Sequence, residues 1–183
     1  MVGFTKGSTA ETATVMIEND KLSDLIETAF PVQPQPTAFF SADGIEALNH
    51  DVPQELSRRI AGRPWTEVTL MDWRMIGTSP VIARRYLEPA SFMYYVPSII
   101  FGTSQQIEFI DFALEGIIPH NKHNSPRGKW WSEFSGCASP HQRLALSSFL
   151  SHLRLMFWDR IGPANQDLLE HAENIWPGTT SGP

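Results

Sequence analysis

The sequence predicts an all-α protein: a compact single-domain bundle of about seven helices with one long polar loop. Three observations carry that prediction. Apolar residues recur at spacings of three and four, most clearly in Leu146, Phe149, Leu150, Leu153, Met156 and Phe157. Ser-Pro pairs and Thr or Ser followed three residues later by an acid or amide stand where those stripes begin. No alternating run is bounded by the hairpin turns that a strand pair requires.

The elements follow in chain order. Met1 to Val15 is mostly Thr, Gly, Ser and Ala, with little to bury, and reads as a disordered tail over 1–15. The helical domain is expected over 16–177. In "NDKLSDLIETAF", Leu22, Leu25, Ile26, Ala29 and Phe30 share a helical face. "PVQPQP" must then run extended, because each proline lacks an N–H and pushes its predecessor out of the helical region. "DVPQELSRRIAG" reads as a helix capped by Asp51, with Pro53 in its first turn and Gly62 in the left-handed position past its end. "RPWTEVTLMDW" reads as a loop and a short helix carrying Trp65 and Trp73, with Thr69 and Asp72 marking the start.

Ser79-Pro80 opens "PVIARRYL". "EPASFMYYVPSII" follows as a proline-bent helix. Phe92, Tyr95, Val96 and Ile99 form its expected core face, while Tyr94 falls on the other side beside Ser91 and Ser98. Tyr94 is therefore expected to be the more exposed tyrosine. Pro97 should bend or restart the helix. Thr103 and Gln106 form a capping-box pattern ahead of Ile107, Ile110, Leu114, Ile117 and Ile118, with Glu108, Asp111 and Glu115 opposite. From Pro119 to Cys137 a long polar loop is expected, interrupted by "KWWSEF". Ser139-Pro140 begins the clearest helix, and Pro163 begins a last one with Leu168, Leu169, Ala172, Ile175 and Trp176 inward. Pro177-Gly178 should stop it, leaving 178–183 loose.

Composition narrows the function. At 183 residues and 42% hydrophobic composition the chain can bury roughly two thirds of its unfolded surface without staples. One cysteine, Cys137, excludes an internal disulfide and suits a reducing cytoplasm. A net charge of −6 argues against nucleic acid as a partner. The local basic pairs, Arg58-Arg59 and Arg84-Arg85, are expected on wet helix faces. The N-terminus has no apolar core of a secretory signal, and no apolar run reaches the ~20 residues of a membrane helix. The expectation is a cytoplasmic protein with no membrane partner.

Candidate chemistry is sparse. His120 and His123 lie three apart in the polar loop, but zinc needs three or four ligands and the only thiol is distant in sequence. His141 and His152 are eleven apart on one helix, so they face alike but stand ~16 Å apart along its axis. Glu108, Asp111 and Glu115 form an acidic stripe without a Glu-x-x-His partner. No metal and no cofactor is expected. Cys137, just before a capped helix, would be a reactive thiol if it stood at a helix N-terminus and met His141 or His120 as base. Trp130 and Trp131 are adjacent and cannot point the same way, so one should be partly exposed. Trp130, Trp131 and Tyr94 are the binding candidates.

The succession "ELSRRIAGRPWTEV", "YLEPASFMYYVPSII" and "SPHQRLALSSFLSHL" resembles an uncharacterised bacterial protein family. Its members share a proline-rich link, a Gly-x-x-Trp element, and a Leu-x-Pro segment leading into Phe-x-Tyr-Tyr-x-Pro. The matching positions are Ile26, Ala29, Phe30, Gly62, Trp65, Leu87, Pro89, Phe92, Tyr94, Tyr95, Pro97 and Gln142, within Leu22 to Leu153. The resemblance implies no reaction, ligand or catalytic residue. By analogy it implies a small bacterial accessory or immunity-like factor. The expected function is a non-catalytic helical binding or interaction protein whose partner is another protein. The alternative is a small enzyme using Cys137, His141, His120 and His123 around the 119–141 loop. The sequence sets no oligomeric state.

Overall fold

A computed structural model describes residues 20–119 and 127–178. The expected 1–15 tail, residues 179–183, His120 and His123 lie outside the described residues. The fold is all-α. Its helices are α1 (20–29), α2 (Ala42–Glu46), α3 (Asp51–Arg59), α4 (Leu70–Arg74), α5 (Pro80–Ala83), α6 (Pro89–Gln105), α7 (Ile110–Ile117), α8 (Lys129–Cys137), α9 (Pro140–Phe157) and α10 (Pro163–Ile175). Short 3-10 turns precede or follow several of them, at Trp65–Glu67, Arg84–Tyr86, Ile107–Phe109 and Trp158–Arg160. The one extended pairing among the described residues is an isolated antiparallel bridge between Phe40 and Leu87. No helix among them is long and apolar enough to cross a membrane.

The start signals operate as local chemistry demands. Thr69 and Asp72 form a reciprocal capping box at α4, and Ser139 and Gln142 form another at α9. Gly62 takes φ +76° after α3, a backbone conformation open to glycine. The cap of α3 differs from expectation. His50 occupies that position, and Asp51 sits in the first turn, where its charge faces the free N–H groups.

α6 organises the core. It packs against α4, α7, α8 and α9, and residues from Phe92 to Ile100 are buried without a break. The sequence reading set Tyr94 opposite the core face, beside Ser91 and Ser98, and made it the more exposed tyrosine. That order holds, 8% exposed against 2% for Tyr95, but this side of the helix is covered too, and both tyrosines and both serines are buried. The reason is the proline-rich connector. It lies along this side and presents carbonyls to it. Ser91 Oγ donates to Ala38 O at 2.5 Å, and the Tyr94 hydroxyl donates to Val32 O at 2.9 Å. The polar stripe of α6 meets backbone rather than solvent. The helix also runs on past Pro97 to Gln105, so Thr103 is a buried residue in its last turn and not an N-cap.

Two helices depart from the sequence expectation. α2 is held by the bridge: Ser41 N–H donates to Tyr86 O, and Ser41 Oγ accepts from Gly44 N–H. A Cβ at Gly44 would fall 2.0 Å from Tyr86 O, so this approach requires glycine. α8 replaces the second half of the expected long loop. Its Trp130, Trp131 and Phe134 stand at spacings of three and four, and Trp131 and Phe134 are buried.

Candidate functional site: an arginine–tryptophan cleft

The 3-10 turn after α5 carries the basic pair Arg84-Arg85. Only Arg85 is exposed as expected; Arg84 is 3% exposed. A helical turn after Val81 puts Arg84 on the same inward face. What tolerates a guanidinium there is the C-terminus of α7, whose last carbonyls lack intrahelical partners and which has no basic residue in its final turn. Arg84 Nη1 donates to Gly116 O at 2.6 Å and to Glu115 O at 3.3 Å. The cation also meets the negative end of the helix dipole. Burial pulls its pKa down to about 10, partly offset by the Glu115 charge, so it stays charged at neutral pH.

α8 closes over this arginine. Its Cζ lies 5.2 Å from the Trp130 ring centroid and 5.6 Å from that of Trp131, within cation–π range. Trp130 is fixed by its indole N–H, which donates to Leu87 O at 3.1 Å, and by stacking on Phe134 at 5.1 Å. The adjacent tryptophans differ in burial: Trp131 is buried, and Trp130 is half-buried.

Between these elements lies a cleft of about 420 Å³, within the range of ligand-binding sites. Arg84, Arg85 and Arg127 line it with Trp130, Trp131, Val81 and Pro119, and no carboxylate is among the described lining residues. Only Nη1 of Arg84 makes hydrogen bonds among the described residues. Its guanidinium is thus held by one edge, with the indoles as low-dielectric walls. Such an arrangement can receive an oxyanion through planar N–H pairs. Its described lining residues include no nucleophile and no general base.

The other sequence candidates scatter. Tyr94 is occupied structurally: besides its bond to Val32, its hydroxyl accepts from Trp65 N–H at 3.3 Å. It lines a separate cleft of about 280 Å³ with Cys137, Gln35 and Gln142. Cys137 is exposed at the last residue of α8, the wrong end of a helix for a thiolate. Burial and the neighbouring Glu133 charge push its thiol up. His141 is exposed in the first turn of α9. His152 is buried beside Lys21, Leu22 and Leu25 of α1. The two histidines share an angular direction, but α1 covers only the second. Among the described residues no group of three or more His, Cys, Asp or Glu side chains could hold a metal ion.

Sequence reasoning named Trp130 and Trp131 but missed their cationic neighbours. Arg84 carried a usable signal, since it follows Val81 by three on an otherwise apolar helix. Arg127 precedes Trp130 by three, and the composition of the polar loop hid it. The chain has no match among protein-family models, curated proteins or solved structures.

Proposed function

We propose that the protein is a non-catalytic cytoplasmic binding protein that docks an anionic segment of another protein at the arginine–tryptophan cleft. One observation carries this reading. In a chain with 14 basic and 20 acidic residues, the described residues that line one cavity include three arginines and no carboxylate. Local positive potential inside a net-negative molecule favours a specific anion over general attraction to polyanions. The half-buried Trp130 supplies the aromatic edge found at the energetic centres of interfaces. The free, exposed thiol of Cys137 favours a reducing compartment. The catalytic alternative draws no support from Cys137, whose thiol is shifted away from the reactive form.

The test titrates the full chain with two peptides of equal length, one glutamate-rich and one with phosphoserine in place of glutamate. Tryptophan fluorescence and calorimetry report binding. At least one peptide should bind saturably and weaken as salt rises. The double variant Arg85→Gln/Arg127→Gln should lose affinity by about tenfold or more while keeping its helical circular dichroism, because each lost charged hydrogen bond is worth ~1.5–3 kcal/mol. Binding of neither peptide, or equal binding by the double variant, overturns the reading.

A further inference from the structure

We propose that the cleft selects a phosphate monoester dianion over a carboxylate. This rests on the preceding reading that the cleft is the recognition site. Charge balance supplies the first argument. Three guanidinium groups line the cavity, and the one opposing charge that acts on Arg84 among the described residues is Glu115, from α7. A carboxylate brings one negative charge and two oxygens. A phosphate monoester brings a charge of about −1.5 to −2 and three acceptor oxygens, a closer match to three planar cations. Residue type is the second argument. The three cations among the described lining residues are all arginine, whose rigid fork pairs with oxyanions in a bidentate way.

The third argument is preorganisation. Arg84 is held by Gly116 and Glu115 carbonyls and walled by two indoles, one of them anchored to Leu87 O. It is in place before any ligand arrives, so little ordering is required on binding. A cavity of about 420 Å³ is at the small end for ligands, which fits a phosphorylated side chain or a small phosphate ester better than a nucleotide. No bond is made or broken in this step.

The experiment compares phenyl phosphate with benzoate, and a phosphoserine peptide with its glutamate counterpart, on the full chain by calorimetry. Inorganic phosphate alone is a fifth probe. The phosphate member of each pair should bind about tenfold tighter or more, and the preference should vanish in Arg85→Gln/Arg127→Gln. Arg84 is left intact because it also caps α7. Equal affinity within each pair, or preference for the carboxylate, overturns the phosphate inference and leaves the cleft an anion site. Absence of binding by all five probes overturns the underlying reading as well. A phosphopeptide tighter than inorganic phosphate places the group on a protein partner; equal affinity makes free phosphate or a small ester the source.

Discussion

α6 and α9 are nearly the same length, 17 and 18 residues, and both have proline at the start. They solve the burial problem in opposite ways. α9 is amphipathic: Leu146, Phe149, Leu150 and Leu153 are buried, while Leu144, Ser151 and Leu155 face out. α6 is buried without a break from Phe92 to Ile100, and the hydroxyl groups of that stretch, with Ser91, meet other chain segments, whereas Thr103 Oγ1 in the last turn is buried with no hydrogen-bond partner among the described residues. Ser91 reaches Ala38 O, Tyr94 reaches Val32 O, Tyr95 reaches Arg63 O at 2.8 Å, and Ser98 receives the Trp73 indole N–H at 2.8 Å. A polar residue on α9 marks solvent. On α6 between Ser91 and Ser98 it marks a backbone carbonyl or a tryptophan. The same side-chain chemistry carries opposite meaning because one helix is peripheral and the other central.

The largest expected effects ignore that difference. Phe92 on α6 and Phe149 on α9 are both fully buried. Truncating either to alanine should cost ~3–5 kcal/mol, since each removes a large apolar side chain and leaves a cavity. Urea denaturation checks this. A loss below about 1 kcal/mol at either site would mean that the helix is not packed as described.

That contrast also explains how much of the molecule could be read from sequence. The capping boxes at Thr69 and Ser139, the left-handed Gly62 and the α9 stripe are local features, and local rules place them correctly. Tyr94 is the more exposed tyrosine, as expected, but how deeply its side of α6 is covered was not legible, because that is decided by residues 32–38, more than fifty positions earlier in the chain. No periodicity within α6 records that connector. Arg84 was misplaced for the same reason, its partners being the carbonyls of Glu115 and Gly116. α8 was read as loop because the surrounding polar composition outweighed the spacing of Trp130, Trp131 and Phe134. The candidate site was half legible: its indoles could be named, whereas its charge depended on where distant backbone ended.

A smaller effect separates the two helices. Tyr94→Phe removes one hydroxyl that donates to Val32 O and accepts from Trp65 N–H. Left unsatisfied, these groups should cost ~1–3 kcal/mol. The tyrosines also predict an alkaline limit. Burial raises the pKa of Tyr94, and burial pushes that of Tyr95 up to about 12, with the Tyr94 charge adding to it. The folded state thus holds the proton more tightly than the unfolded chain, whose tyrosines titrate near 10. The stabilisation is fully present below about pH 10 and is lost as pH rises toward 12. Stability measured across that range should fall more steeply in the parent than in Tyr95→Phe. Identical slopes would show that Tyr95 is not shielded by this packing.

The smallest effect belongs to the outer face of α9. Leu155 is 78% exposed, the most exposed of the large hydrophobic residues among those described. Isolated apolar groups on a surface are ordinary, and most of this side chain is already in water. Leu155→Ala removes little buried area and places the best helix former in a helix. The net change should stay within about ±0.5 kcal/mol, the range typical of surface substitutions. The matched change one turn and a half earlier, Leu150→Ala, should cost ~2–5 kcal/mol, because Leu150 is completely buried. Thermal melts of both variants at two protein concentrations test the pair. A Leu155→Ala loss above about 1 kcal/mol that grows with concentration would show that a second copy covers this face. A loss that does not would mean that α9 is turned differently about its axis, and the amphipathic half of the comparison would fail.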